Sequence, residues 1–124
     1  MFDAKVILRF SAAHFLKDYP GNCARLHGHN WKVIATVRTE KLNELGFVID
    51  FRDLKKELRS ILDEIDHSLI NDHPYFKKIN PSSENIAKWI FKKLKVKIEN
   101  NRLTLFSVEV AETENSSVIY YGTG

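Results

Sequence analysis

Apolar residues occupy every second position over residues 2 to 14, where Phe2, Ala4, Val6, Leu8, Phe10 and Ala12 alternate with a mostly polar set. Successive side chains of an extended chain point to opposite sides, so this period predicts a strand with one buried face, and His14 continues the apolar phase. A second run over 27 to 37 sets His27, His29, Trp31, Val33, Ala35 and Val37 on one side. Each apolar face ends in imidazoles. The pattern therefore predicts two antiparallel strands that bring their histidines together at the rim of a core. Between them, Asp18-Tyr19-Pro20-Gly21-Asn22 is rich in turn formers and leads into Cys23, which it is expected to deliver to the same end.

The period then lengthens. Beyond a turn near Gly46, Asp50 suits the N-cap of a helix with Phe51, Leu54, Leu58, Ile61, Leu62 and Ile65 on one stripe, ending close to Asp66-His67. A second helix is expected to begin around Asn80-Pro81-Ser82-Ser83-Glu84. That stretch combines cap candidates, a proline suited to a first turn and an acid near the positive end of the helix dipole. It continues through Ile86, Trp89 and Ile90 to about Leu94. Strands at about 103 to 112 and 117 to 121 follow, the first with Phe106, Val108, Val110 and Glu112 in one phase. The order strand, strand, helix, helix, strand, strand predicts an α+β fold, a four-stranded antiparallel sheet with two helices on one face. Two open edges remain, so closure through self-association is expected.

The 124 residues are read as one domain, 1–124, with the composition of an ordinary soluble protein: 44% apolar and 28% charged. A single cysteine makes no internal disulfide, and neither a leader nor a long apolar run is seen, so the expected location is cytoplasmic, with no membrane partner. The formal net charge of +3 suits an anionic small molecule as readily as a nucleic acid. Lys92-Lys93-Leu94-Lys95-Val96-Lys97 interleaves charge with apolar residues as a solvated helix face does, and no nucleic-acid motif accompanies it, so no nucleic-acid partner is expected.

Three of the five histidines lie within sixteen residues, with the only cysteine among them. His27 and His29 are two apart, so on a strand both rings project to one side. Gly28 between them removes a side chain from the other face. Three neutral imidazoles suit Zn²⁺ and leave a fourth position for water or substrate; a closed structural site with Cys23 as fourth ligand is the alternative. Cys23 sits beside Arg25, a cation that favours the thiolate. Asp66-His67 is a second constellation. It serves one site if the helix ends there, with Asp66 setting the tautomer of His67, and is a solvated pair otherwise. Glu112 ends an apolar strand face, where a carboxylate needs a partner. Either it pairs with a Lys or Arg, or it accepts two parallel N–H bonds from an amino-pyrimidinone edge such as that of a pterin. His73 has no such context and is expected on the surface.

The ordered set Phe10-Ser11-Ala12-Ala13-His14, Cys23-x-x-x-His27-Gly28-His29, Asp66-His67, Pro81-Ser82-Ser83-Glu84 and Glu112-Thr113 resembles the 6-pyruvoyl tetrahydropterin synthase superfamily over nearly the whole chain. The resemblance implies the tunnelling fold, in which trimers close a barrel, commonly stacked as hexamers, with active sites between subunits. By position it implies His14, His27 and His29 as zinc ligands, Cys23 as general base, Asp66 and His67 as the proton-transfer pair, and Glu112 as pterin anchor. Ser82 and Ser83 stand where the family usually carries threonine and are possible pterin contacts. The three-residue gap between Cys23 and His27 resembles the 6-carboxytetrahydropterin synthase branch, which feeds 7-deazaguanine (queuosine-type) biosynthesis. The implied substrate is 7,8-dihydroneopterin triphosphate, with Arg25, Lys17 and Lys32 as triphosphate contacts by proximity in sequence. A pyruvoyl synthase and a non-catalytic zinc-stabilised binding module are the rival readings.

Overall fold

The computed structural model describes residues 1–18 and 25–123. Two long strands, β1 (Phe2–His14) and β2 (His27–Thr39), pair antiparallel along their full length, from Phe2 opposite Thr39 to His14 opposite His27. Helix α1 (Phe51–Leu62) follows, then a two-residue strand β3 (Ser68–Leu69), two short 3₁₀ turns at Ile70–Asp72 and Pro74–Phe76, and helix α2 (Ser83–Ile98). Strands β4 (Thr104–Thr113) and β5 (Ser116–Tyr120) complete the sheet, whose order is β3-β1-β2-β4-β5.

The expected four antiparallel strands are thus joined by a fifth, and the sheet is mixed: β3 runs parallel to Ala12-Ala13 of β1. A two-residue strand carries no periodicity, which is why the pattern did not show it. It covers only the end of β1. Among the described residues neither the rest of that edge nor the outer edge of β5 has a strand partner.

Both helices cover one face of the sheet, α1 against β1 and α2 against β4 and β5. The in-phase residues Val6, Phe10, Trp31, Val33, Ala35 and Val37 meet Leu54, Leu58, Ile61, Leu62 and Ile65 from the α1 segment and Ile86, Ile90 and Leu94 from α2 in one core. Asp50 caps α1 as expected, accepting from the Arg52 N–H at 2.8 Å. The helix itself stops at Leu62, and irregular turns carry the chain on to Asp66-His67.

Several expectations are corrected. Phe51 shares the stripe's phase but stands at the first helical position, outside the core. It is 56% exposed and lines an open apolar pocket with Phe2 and Phe47. The pairing of β2 with β4 shifts between Thr36 and Val37, so Leu105, opposite Val37, takes the core position. Phe106 becomes the extra residue of a bulge, with the Arg38 guanidinium 3.5 Å from its ring centre. His73 is no loose surface residue: its ring packs on Trp89, its Nδ1 accepts from the Tyr75 N–H, and its Nε2 donates to Glu64 at 2.9 Å. Pro81 precedes the Ser82 cap and does not begin the helix, which leaves its carbonyl available for another donor.

Candidate metal and substrate site

The two long strands carry His14, His27 and His29 to one end of the sheet on its core-facing side. His14 and His27 are directly cross-strand, and the ring centres of the three lie 4.5 to 5.3 Å apart. His14 is fully buried. Its Nδ1 is 2.7 Å from the Pro81 carbonyl and that of His27 is 2.6 Å from the Arg25 carbonyl. A carbonyl only accepts, so in both rings Nδ1 holds the proton and Nε2 presents a lone pair. The Trp31 indole fixes the pocket wall: it donates to the Ala12 carbonyl at 3.2 Å and meets His14 and His29 edge-on.

Burial is the largest influence on His14 and His29 and holds both below the ordinary imidazole value, against the opposing pull of the Glu112 carboxylate. Neutral rings are metal ligands. The Nε2 atoms of His14 and His29 are buried with no hydrogen-bond partner among the described residues, a costly state for polar atoms unless something binds them. His14, His27, His29 and Glu112 offer ligand atoms that all lie within 4.8 Å of one another, so the donor set fits a divalent ion such as zinc. The outer contacts from Pro81 and Arg25 are of the kind that orient ligating imidazoles.

Glu112 stands in this group and not with a Lys or Arg: its oxygens lie 3.6 and 3.5 Å from His14 and His29 Nε2, and the Ser83 hydroxyl is 3.4 Å from Oε1. Its proximity to the histidines was not legible in the sequence, because it depends on the register between β2 and β4, which places Val110 opposite Val33 and aims Glu112 towards the imidazoles. Beyond Glu112 a pocket is lined by Ser83, Glu84, Thr113, Ser116, Ser117 and Val118. Ser82 is occupied as the cap of α2, accepting from the Asn85 N–H.

Asp66 and His67 form a separate group at the β1 edge. Asp66 Oδ1 accepts from the Ser11 N–H at 2.9 Å and lies 2.9 Å from His67 Nδ1, an ion-pair contact, while the His67 N–H returns to the Ser11 carbonyl. His67 has φ of 55°, a left-handed conformation that turns its ring outward, and its side chain is 82% exposed. With Arg9, Ser11, Asn30 and Glu114 the pair lines a second pocket. The described contacts do not join it to the histidine cluster within one chain.

Cys23 lies outside the described residues. Of the suggested phosphate contacts, Lys17 donates to the Lys77 carbonyl, and Lys32 faces Arg9 across the strand pair on the helix-free side. Gly28 leaves room, since an added Cβ would meet only the Ala12 carbonyl at 4.0 Å. Asn71, unnoticed in the sequence, is buried and makes two hydrogen bonds of 3.0 Å with the Phe15 backbone, fixing the chain just beyond His14. Among the described residues, no helix is long and apolar enough to cross a membrane.

Known proteins share this arrangement of chain and fold. A Bacillus subtilis protein named 6-carboxy-5,6,7,8-tetrahydropterin synthase is 33% identical over 96% of this chain and 84% of its own length. The human 6-pyruvoyl tetrahydrobiopterin synthase is 35% identical over 93% of this chain and 88% of its own. The solved structure of Caenorhabditis elegans 6-pyruvoyl tetrahydropterin synthase superposes with a TM-score of 0.88 at 31% identity, covering 98% of this chain and 96% of that one. The sequence model described as 6-pyruvoyl tetrahydropterin synthase matches residues 4–123, and with the histidine cluster in place the chain belongs to the 6-pyruvoyl tetrahydropterin synthase family.

Proposed function

We propose that this chain is a single-domain, zinc-dependent lyase that converts 7,8-dihydroneopterin triphosphate and water to 6-carboxy-5,6,7,8-tetrahydropterin, acetaldehyde and triphosphate. The observation that carries the reading is the convergence of three imidazoles, two of them with orphaned Nε2 atoms, beside a carboxylate that opens onto a pocket. His14, His27 and His29 hold the ion, which when bound supplies Lewis acidity to the substrate's side-chain oxygens. Glu112, steadied by Ser83, accepts the amino-pyrimidinone N–H groups of the ring and so fixes which carbon faces the base.

Cys23, as thiolate, removes a carbon-bound proton. Asp66, itself held by the Ser11 N–H, keeps the proton of His67 on Nδ1. The exposed Nε2 is then free to carry protons to and from substrate oxygen. An outward, exposed His67 suits a site shared between chains. Self-association through the open edges of β1 and β5, as a trimeric or hexameric barrel, would bring the two groups together. Lys32 and Arg9, side by side, suit the triphosphate.

The three-residue gap before His27 and the relatives named as carboxytetrahydropterin synthases favour the carboxy product. The second reading, triphosphate elimination alone, is favoured by the Caenorhabditis elegans likeness. Mass spectrometry of the products from 7,8-dihydroneopterin triphosphate decides. Acetaldehyde with the carboxypterin supports the proposal, a pyruvoyl product refutes the carbon–carbon cleavage, and no turnover by the zinc-loaded oligomer refutes the enzyme.

A further inference from the structure

Strand β1 ends at His14, yet the chain beyond it stays hydrogen bonded. The Phe15 N–H donates to Asn71 Oδ1 and Asn71 Nδ2 donates back to the Phe15 carbonyl, both at 3.0 Å. Two residues on, the Lys17 N–H donates to Asn80 Oδ1 at 2.8 Å and Asn80 Nδ2 returns to the Lys17 carbonyl at 3.1 Å. A carboxamide carries both an acceptor and donors, so it can pair with a residue's N–H and C=O as a neighbouring strand does. Ser11 is held by Asp66 Oδ1 and the His67 N–H, and β3 pairs with Ala12-Ala13. A run of partners thus follows the chain from Ser11 to Lys17, the last two of them side chains. Asp18 then turns it sharply, with a left-handed φ of 59°, and Cys23 follows in the sequence.

Asn80 is itself anchored. Its carbonyl accepts from Asn85 Nδ2 at 2.9 Å, and the next residue, Pro81, turns its carbonyl to His14 Nδ1 at 2.7 Å. Adjacent residues therefore hold Lys17 and His14. Burial does not demand the first of these contacts, because Lys17 is exposed and water would satisfy its backbone as well. What the Asn80 pair supplies is order, since an exposed segment without partners samples many conformations. Taking the thiol as base, as read above, we propose that Asn80, working with Asn71, is a positioning residue for the reaction. The two carboxamides stand in for a strand, fix the chain from His14 to Lys17, and so set the point and direction from which the connection bearing Cys23 departs. A base must come within hydrogen-bond reach of the proton it removes, so an error at the root of that connection is felt in the chemical step.

The test uses the full-length, zinc-loaded protein and Asn80→Ala, since Asn80 is half-buried whereas Asn71 is buried and needed for stability. Alkylation of the single cysteine by iodoacetamide, timed in the folded protein and in urea, reads the thiol without turnover; Asn80→Ala should move the folded rate towards that of the unfolded chain. With 7,8-dihydroneopterin triphosphate, kcat should fall by about tenfold or more, within the roughly 100-fold cost of a 1 Å misplacement, while KM and zinc content hold. In a Cys23→Ala background the same substitution should change residual turnover by less than about twofold, because two residues that act through one group are not additive. Asn80→Asp keeps the acceptor for the Lys17 N–H but sets an oxygen against the Lys17 carbonyl, and should fall between wild type and Asn80→Ala.

A wild-type thiol that reacts as it does in the unfolded chain, or a rate that ignores Asn80→Ala, would overturn the positioning role. Equal losses of turnover with and without Cys23 would do the same and give Asn80 to the fold alone. Loss of zinc in Asn80→Ala would move its effect to His14 and overturn its action on the thiol. Full turnover by Cys23→Ala would refute the thiol as base, and the positioning role with it. An impaired Cys23→Ala beside an unimpaired Asn80→Ala would refute the positioning role alone and leave the base in place.

Discussion

His14→Leu separates the metal-binding role of the buried imidazole from its structural one. In the metal-free protein the fully buried His14 keeps one good contact, Nδ1 to the Pro81 carbonyl, and one bad one, the orphaned Nε2. A buried polar group without a partner costs about 1 to 3 kcal/mol. Leucine of similar volume removes that cost but orphans the Pro81 carbonyl at a comparable one, so metal-free stability should change by no more than about 2 kcal/mol. Zinc is different. At a free concentration 1,000 times its Kd it stabilises the wild type by about 4.1 kcal/mol. Loss of one of three imidazoles should weaken binding at least about 100-fold, the upper range for a mere outer-shell change, leaving about 1.4 kcal/mol at the same free zinc. Urea unfolding followed by far-ultraviolet circular dichroism, with chelator or with buffered zinc, measures both quantities. Protein concentration must be held fixed, because self-association adds its own linkage. A His14→Leu variant that keeps the full zinc-dependent gain would refute the assignment of this histidine to the ion.

Cys23→Ala should retain metal by elemental analysis yet lose most turnover, as expected for a base; joint loss of metal and activity would make the thiol a ligand. Asn71→Ala removes both partners of the Phe15 backbone and should lower unfolding free energy by about 2 to 4 kcal/mol, with a smaller change in urea midpoint refuting Asn71 as the anchor of the β1 end. The Glu64 carboxyl is raised by burial but more than offset by His73 and Lys93, which hold it below the ordinary glutamate value. A depressed acid stabilises above its unfolded pKa and loses that contribution as pH falls through the folded one, so Glu64→Gln should flatten the loss of stability below about pH 4.5. The effect is modest, since the pair is partly exposed and screened; identical slopes for variant and wild type would refute it.

Strand periodicity was the most legible part of the fold, because a half-buried strand writes its buried face into alternate positions. It located β1 and β2 and the same-side placement of His14, His27 and His29. Cap chemistry located the start of α1 at Asp50. What escaped was set by relations between elements. Phe51 lies on the right stripe but at the helix's first position, outside the core, and Phe106 is displaced by a bulge in the pairing of β4 with β2. His73 gained its surroundings from Glu64 and Trp89, nine and sixteen residues away.

The site divides along the same line. The metal group follows from local spacing on two adjacent strands, so the sequence could announce it. Glu112 joins it only through the third strand's register, and Pro81 only because the helix begins one residue past its cap, leaving a carbonyl free to hold His14 in one tautomer. Asp66 and His67 were adjacent and polar in sequence, which does not distinguish a working pair from a frayed end. Their hydrogen bonds to Ser11 make that distinction, since a solvated pair has no reason to be tied by backbone to the strand that carries His14. The left-handed turn at His67 costs conformational energy of order 1 kcal/mol or more, yet the side chain it displays is 82% exposed. Such a feature is consistent with a group whose counterpart lies on another chain. Mixing a His67→Ala chain with a His27→Ala chain should therefore restore turnover that neither has alone, and mixed oligomers that remain inactive would place both groups of the site within one chain.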